Sequence, residues 1–508
     1  MVSEYPPSLA VSEEERLVQA IKDWTIAHGL AVRPPPQLTA AAGDDQGILA
    51  FPAPVTLFPS PFPEACFEQA RSVQTAYNQL YARISQDEEF LGGIVKEVAD
   101  GDDFIRSLWD VHLRVKKEGY VQPLSLGLFR SDYMVHKETS AAGETMTVKQ
   151  VEFNTIAASF GGLSAHTSGL HKFLGATEYP LLANGAFSVN LPTNDSTAGL
   201  AKGLKDAHTA YGTSELGHPT CVIFLVQDGE RNVFDQRHLE YEIQASGIPV
   251  FRLPVSQIFT HTTIAESSKR QLVYQLPSNP SRVFEVAVVY LRSAYGPGDY
   301  PDAKSWDARY HIERSGAIKC PTVLTQLAGM KKVQQVLALP EVDDSQSALN
   351  RFIPEDAGLR DQLRGTFTDI YPMDTTPSGL EARKLATDPE KCLSFVLKPQ
   401  REGGGNNFYK AAIPAHLKTV PEAHWGSYIL MKLITPPPVA NVILRNGNVE
   451  KGGVICELGM YGACLWNQET RDILRNDGGG YLLRTKGDQS EEGGVAAGFG
   501  CMDSANLV

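Results

Sequence analysis

Fifteen residues, Phe395-Val-Leu-Lys-Pro-Gln-Arg-Glu-Gly-Gly-Gly-Asn-Asn-Phe-Tyr409, bring together types that suit phosphate chemistry. Lys398 and Arg401 are cationic and Glu402 offers a hard oxygen ligand. Gly403, Gly404 and Gly405 let backbone N–H groups approach an anion, and Asn406 and Asn407 add amides. Three consecutive glycines weaken any helix or strand, so the competing reading is a flexible surface loop. The apolar run Ser394 to Leu397 in front, with Lys398 and Glu402, favours a nucleotide-phosphate site closed by a glycine lid. The pattern is neither G-x-x-x-x-G-K-[ST] nor G-x-G-x-x-G. A second constellation is Thr147-Val-Lys-Gln-Val-Glu-Phe-Asn154, where period-two alternation puts Glu152 and Asn154 on one strand face. A carboxylate and an amide oxygen at a strand end suit Mg²⁺, although the same pair is also ordinary on a solvated face. Glu457 stands alone in the apolar run Gly453–Gly459 and needs a partner or a ligand to offset its desolvation.

These residues need elements to hold them. Ser12-Glu-Glu-Glu15 reads as a capping box, followed at helical spacing by Leu17, Ile21, Trp24 and His28 up to Gly29. The proline-rich passage from Pro34 to Pro63 is expected to wrap the surface. Phe67, Ala70, Val73, Tyr77, Leu80, Tyr81 and Ile84 mark a second amphipathic helix whose aromatics read as core. Pro123–Met134 and Thr147–Asn154 form sheet. From Cys221 short strands alternate with helices, through Val222–Val226, a helical Phe234–Ala245, Pro249–Leu253 and Phe284–Leu291, which predicts a parallel α/β layer. Ligands in such layers sit beyond strand carboxyl ends. Glu230, Arg231 and Asn232 follow one end, and Arg292 and Tyr295 another, so they read either as substrate contacts or as solvated turns. A helix with Val333, Val336 and Leu337 inward follows Lys332. Ser427–Ile434 reads as a strand, and a second glycine loop spans Gly493–Gly498.

The chain of 508 residues, 42% hydrophobic, can build a large core over two to four domains. A net charge of −13 without a long basic cluster argues against nucleic acid and anionic membranes as partners. No apolar run reaches the roughly 20 residues of a membrane span. Met1-Val-Ser-Glu-Tyr-Pro-Pro7 lacks the regions of a signal peptide. Seven scattered cysteines without a C-x-x-C pair read as reduced, mostly buried thiols of a cytosolic protein.

Val151-Glu-Phe-Asn-Thr-Ile-Ala-Ala-Ser-Phe-Gly-Gly162, Glu230-Arg-Asn-Val-Phe-Asp-Gln236 and Gln326-Leu-Ala-Gly-Met-Lys-Lys-Val-Gln-Gln335 resemble the eukaryotic glutathione synthetases. So do Leu397–Asn407, Leu482-Leu-Arg-Thr-Lys486 and Gly493-Gly-Val-Ala-Ala-Gly498. The similarity runs in order from about Ser12 to Asp503. It implies an ATP-grasp fold of mixed α/β class, with a parallel α/β substrate domain inserted into the ATP-binding part. The implied division is 1–215, 216–328 and 329–508, with a lid at about 398–410. It also implies a cytoplasmic homodimer joining γ-glutamylcysteine to glycine with ATP and Mg²⁺.

Motif by motif, the resemblance makes Glu152, Asn154 and Glu402 metal ligands, and Lys331 and Lys398 ATP-phosphate lysines. The lid runs through Gln400, Arg401, Glu402, Gly403, Gly404, Gly405, Asn406 and Asn407. Tyr409, the backbone of Met431, Lys432, Leu433 and Ile434, and Glu457, Lys486 and Glu492 line the nucleotide pocket. Arg130, Ile156, Ala157, Ala158, Ser159, Glu230, Arg231, Asn232, Gln236, Arg292, Ser293, Ala294 and Tyr295 match the dipeptide site. Arg484, Val495 and Ala496 match the remaining product contacts, and Arg130, Lys398 and Arg484 are the catalytic cations. Three positions depart from the family pattern: Lys432 replaces a glutamate, Ala294 a glycine and Glu492 an aspartate. In such a ligase ATP converts a carboxylate to an acyl phosphate, which the glycine amine attacks. No Ser, Cys or His nucleophile is needed, and the lid keeps water from the intermediate. The alternatives are a homoglutathione-type ligase taking β-alanine or serine, and a silent ATP-binding scaffold.

Overall fold

In the computed structural model, which describes residues 5–34, 44, 47–140, 143–183, 187–339, 347–490, 495 and 500–508, the apolar run Thr220–Val226 is a strand buried on both sides. Cys221, Ile223 and Leu225 enter one core, while Val222, Phe224 and Val226 enter the other. Burial on both faces is why the run shows no polar alternation. It lies parallel to Val250–Pro254 and Asn279–Leu291, and Ile318–Cys320 is parallel to Asn279–Leu291. The parallel layer implied by strand–helix–strand order is therefore present, with Val233–Gln244 as its crossover helix.

Ile318–Cys320 joins this layer to Leu124–Ser140 through the pairing of Lys319 with Ser125. Beyond that junction the sheet is mainly antiparallel. Leu124–Ser140 pairs on its other edge with Asn448–Asn467, which pairs with Ile473–Gly487, which pairs with Gly500–Asp503. Gly143–Asn154 pairs with Leu124–Ser140 and sets Asp132 opposite Glu152 and Arg130 opposite Asn154. Among the described residues the whole sheet has 13 strands, with helices packed on both faces. The α/β class is as expected.

The proline-rich passage departs from its surface reading. From Ala53 to Ser60 every residue is buried, and Val55–Thr56 lies between Val439–Arg445 and Gly500–Asp503. The apolar residues between the prolines demand burial, and Pro54 and Pro59 fall just outside the paired Val55–Thr56, where no ladder N–H is lost. Asp503 fastens this passage: its carboxylate accepts from Thr56 Oγ1, Ser60 Oγ and Thr485 Oγ1, each at 2.6 Å. Ala505–Leu507 then runs parallel to Ser60–Phe62.

The first helix, Val11–Ala27, starts earlier than the Ser12–Glu15 box implies. Glu13 accepts the Ala10 N–H at 2.8 Å, so the reciprocal contact sits two residues upstream and Ser12 lies within the first turn. Leu17, Ile21 and Thr25 are buried, while His28 is exposed and stacks on Trp24. The second amphipathic segment is two helices, Glu64–Ser72 and Gln74–Ser85, joined at Val73, and its apolar positions are core. All seven cysteines are buried and free. Among the described residues no helix is long and apolar enough to cross a membrane.

A second, antiparallel sheet carries the lid. Its order is Ile370–Pro372, Ile429–Lys432, Phe395–Lys398, Phe408–Tyr409. Phe395 and Leu397 pack with Ile413, Leu417, Ala382 and Ala386, while Val396 and Met431 turn the other way. The period of two thus divides each short strand between a private core and the space facing the large sheet.

Candidate active site

A cleft of about 1030 Å³ opens between the two sheets. Its floor is the large sheet. Arg130 Nε and Nη2 donate to the Asp132 carboxylate at 2.6 and 2.8 Å, and Nη1 donates to Ser159 O at 3.0 Å. Asp132 also accepts from Asn154 Nδ2 at 3.0 Å and from Arg484 Nη2 at 3.1 Å. Arg484 in turn pairs with Glu457, which lies directly across the strand pair. The lone strand glutamate therefore has its partner. Gly459 makes this flat arrangement possible: a Cβ there would lie 2.7 Å from Asp132 Oδ1 and 2.8 Å from Arg130 Cδ. Asn154 spends its amide hydrogens on Asp132 and on Arg130 O, which leaves its carbonyl oxygen for a cation.

Above the floor stand two lysines and two carboxylates. Lys331 Nζ lies 3.0 Å from Glu152 and 3.2 Å from Glu402. Burial alone would depress its pKa, but the two carboxylates outweigh burial and raise it. Burial would raise the Glu152 pKa; Lys331, Lys398 and Arg484 override it and hold the group ionised. Glu402 behaves oppositely. Burial is stronger than the help of Lys331, Glu152 adds repulsion, and its pKa rises to about 7. Two half-buried carboxylates thus share one ammonium. Lys398, buried and donating to Val151 O at 2.9 Å, is pushed down to about 8 by desolvation despite Glu152. Glu152, Asn154 and Glu402 form a hard-oxygen donor set short of positive charge, which fits Mg²⁺ carried in with phosphates. Among the described residues no group of three or more His, Cys, Asp or Glu is placed to hold a metal without such help.

The lid leaves the small sheet after Lys398. Gly403, Gly404 and Gly405 have φ of 93°, 68° and 73°, three successive left-handed residues that only glycine adopts without strain. A Cβ on Gly403 would stand 3.3 Å from the Tyr295 ring. Glu402, Gly403, Gly404 and Asn407 line the cleft. Gln400 and Arg401 instead fasten the base. Gln400 accepts the Lys332 N–H at 3.0 Å and donates to Ser427 O at 2.9 Å, and Arg401 pairs with Asp102. Asn406 turns inward on the lid, donating to Gly404 O at 2.9 Å.

At one end, residues Ile156–Phe160 form a loop pinned from two sides. Ser159 O receives Arg130 and Ser159 Oγ receives Arg292 Nη2 at 2.9 Å, while Ala158 O receives Arg292 Nη1 at 3.1 Å. Asp235 accepts the Phe160 and Gly162 N–H groups, each at 2.8 Å, and holds Arg292 at 3.1 Å. Glu230 accepts from Asn232 N and Gln236 Nε2. Arg292 Nε, Asn232 Oδ1 and Gln236 Oε1 remain buried without a protein partner, a mixed donor–acceptor group suited to a polar ligand. Ala294, where the family pattern has glycine, takes φ +69°, and Tyr295 beyond it still lines the cleft. Ala158, Gln236, Ser293 and Ala294 lie behind this wall.

At the other end Val396, Tyr409, Met431, Leu433 and Ile434 face Ile455, Glu457 and Lys486, an apolar slot with polar edges. Lys432, exposed at the rim of the cleft, meets Asp369 at 3.2 Å, so the departure at this position reverses the sign of the charge there. Val495 lines the cleft, whereas Glu492, Ala496 and the rest of the second glycine loop lie outside the described residues. Sequence reasoning missed Asp132 as a hub, Asp235 as the anchor of the loop, and Gly459. Asp235 stood within a quoted motif. The role of Gly459 depends on cross-strand register, which no local pattern reveals.

Comparison with known proteins adds independent findings. The family model described as the ATP-binding domain of eukaryotic glutathione synthase matches residues 11–507. The chain is 40% identical to the glutathione synthetase large chain of Schizosaccharomyces pombe, with 97% of each chain covered. It is 38% identical to the Xenopus laevis glutathione synthetase, with 97% of each covered, and 36% identical to that of Homo sapiens, with 96% of each covered. A solved glutathione synthetase-like effector of Globodera pallida, in its apo form, shares the fold with a TM-score of 0.73. It is 22% identical, and both chains are covered over 100% of their length.

Proposed function

This chain belongs to the eukaryotic glutathione synthase family, and from that premise we propose that the cleft between its two sheets is where γ-glutamylcysteine, ATP and glycine meet. The chain is an ATP-dependent ligase that forms glutathione, ADP and phosphate. The relatives named above are all glutathione synthetases, which leaves the homoglutathione and silent-scaffold alternatives without support.

The observation that carries the site assignment is the convergence of Glu152, Glu402, Lys331, Lys398, Arg130 and Arg484 under one glycine lid. The apolar slot of Val396, Met431 and Tyr409 takes the adenine, and the backbone of Met431–Ile434 reads its edge. Lys398 and Lys331 place positive charge along the phosphates, and Arg484 faces the reacting centre. The dipeptide enters over Ile156–Ser159. Arg292 Nε and Asn232 Oδ1 supply its unmatched partners, Gln236 holds Glu230 from behind, and the dipeptide's glycyl-accepting carboxylate points to the phosphates. Bound Mg²⁺, held by Glu152, Glu402 and the Asn154 oxygen, would neutralise phosphate charge. The closed lid excludes water from the acyl phosphate while the glycine amine, arriving near Arg484 and Val495, attacks it. The same reading includes a division at about 216 and 328, a homodimer and a cytosolic setting.

Phosphate release measured with γ-glutamylcysteine and a panel of amines tests the activity: glycine should exceed β-alanine and serine, and equal rates would overturn the selectivity. For the site, Glu402→Gln keeps shape and removes charge. Turnover should fall by roughly a hundredfold or more, on the scale of losing one transition-state electrostatic contact, with the melting temperature held. A folded Glu402→Gln protein of near-normal activity would remove Glu402 from the metal set.

A further inference from the structure

The helix Val323–Ala328 leads into Lys331, and it carries a buried glutamine to which the reaction described above gives no task. Gln326 Nε2 donates to Ala294 O at 2.9 Å, and its Oε1 accepts from Arg309 Nη2 at 3.4 Å. Its backbone carbonyl accepts from Thr155 Oγ1 at 3.3 Å. One residue therefore touches the beginning of the 155–159 loop and the middle of the 292–295 loop. It is itself braced. Arg309 pairs with Glu313 at 2.8 Å, both side chains almost wholly buried, and Glu313 accepts the Val323 N–H at 2.9 Å, so the circuit closes on the same helix.

The geometry at both loops needs such a brace. Ala294 holds φ +69°, a conformation an alanine does not keep without surrounding restraint, and its carbonyl receives a second donor, Tyr300 OH, at 3.2 Å. The next residue is Tyr295, whose ring stands 3.3 Å from where a Cβ on the lid residue Gly403 would lie. On the other side, a Cβ on Gly329 would lie 2.4 Å from Thr155 Oγ1, so the helix end and the loop are already at closest approach.

We propose that Gln326 is a positioning residue for the ligation. Its side chain, through the Ala294 carbonyl, sets the Tyr295 wall against the lid, while its backbone carbonyl, held by Thr155, ties the same helix to the dipeptide loop. This deepens the proposed function and rests on its assignment of the two loops to γ-glutamylcysteine.

Two variants of the full chain test it. Gln326→Met fills the space and removes both side-chain hydrogen bonds. Gln326→Glu, ionised beside Arg309, keeps the acceptor and loses the donor to Ala294. Hydrogen exchange of the Tyr295 and Gly296 amides is measured alongside melting temperature and saturation by dipeptide and by ATP. Both variants should speed those amides about tenfold and raise the dipeptide KM about tenfold, with the ATP KM within about twofold, the scale of one lost buried hydrogen bond. A Gln326→Glu protein with wild-type exchange and dipeptide KM would show that only the Arg309 contact matters and overturn the proposal. A lowered melting temperature with equal rises in both KM values would likewise reduce Gln326 to a structural residue. Faster exchange with an unchanged dipeptide KM would strike at the assignment of the loops to the dipeptide, and with it end the role in the reaction.

Discussion

Asp132 accepts from Arg130, Asn154 and Arg484, so a single buried carboxylate orients two cations and one candidate metal ligand. Much of the Arg130 fork is committed to Asp132, and a substrate carboxylate would meet only the N–H groups left on Nη1 and Nη2. Arg130→Ala removes one neutralising partner but leaves Arg484 on Asp132. We expect it to cost roughly 2–3 kcal/mol of stability, less than a fully orphaned buried charge, and to abolish dipeptide saturation. Arg130→Lys should regain most of the melting temperature while its dipeptide KM stays raised, because an ammonium lacks the planar fork. Wild-type dipeptide KM in the lysine variant would mean that substrate does not use this side chain. The sequence shows Arg130 and Asp132 two apart on one strand face, which makes the pair legible. That Arg484 and Asn154 join them depends on the register of three neighbouring strands. Nothing local in the chain encodes that register.

The lid is an element whose two ends are treated differently. Its base is fixed by Gln400 and by the Arg401–Asp102 pair, and Asp102 at the same time caps the helix Asp103–Glu118 through the Phe104 and Ile105 amides. Its tip is three left-handed glycines, with room for a Cβ at Gly405. Arg401 and Gln400, expected at the nucleotide, make their contacts at the base of the lid and do not line the cleft. Replacing Gly403 and Gly404 by Ala adds a left-handed penalty of roughly 2 kcal/mol to the observed lid conformation, about 30-fold in its population. Ligation should slow accordingly, and glutathione formed per ATP consumed should fall as water reaches the intermediate. Equal loss of ligation and ATP hydrolysis would instead assign the lid to phosphate contact. Elements were read well where burial speaks directly, as in Thr220–Val226. They were read poorly where it does not, as in Ala53–Ser60, whose prolines masked a core strand.

Across the whole molecule, burial also disfavours charge on several imidazoles. Desolvation lowers the pKa of His112 and His166, and lowers that of His311 to about 4. The unfolded chain takes those protons near the ordinary value of about 6.5. Below that pH the unfolded state therefore binds more protons, and each such group withdraws stability as pH falls, for His311 down to about pH 4. His311→Gln should gain melting temperature relative to the parent between pH 7 and pH 5; a difference independent of pH would remove this group from the acid response.

The fastening of Val55–Thr56 to Gly500–Asp503 bears on how the chain is made. Thr56 and Asp503 are 447 positions apart. At the usual pace of synthesis, a nascent chain spends roughly 20–90 s between releasing the first and the second. For most of that interval Val55, Leu57 and Phe58, fully buried in the finished fold, have neither flanking strand, because Val439–Arg445 is also made late. The ribosome must deliver its late product before the early one can settle, so this part of the sheet is completed only once the last strands have been made. Trimming the final strands would strand the beginning of the chain as surely as the end.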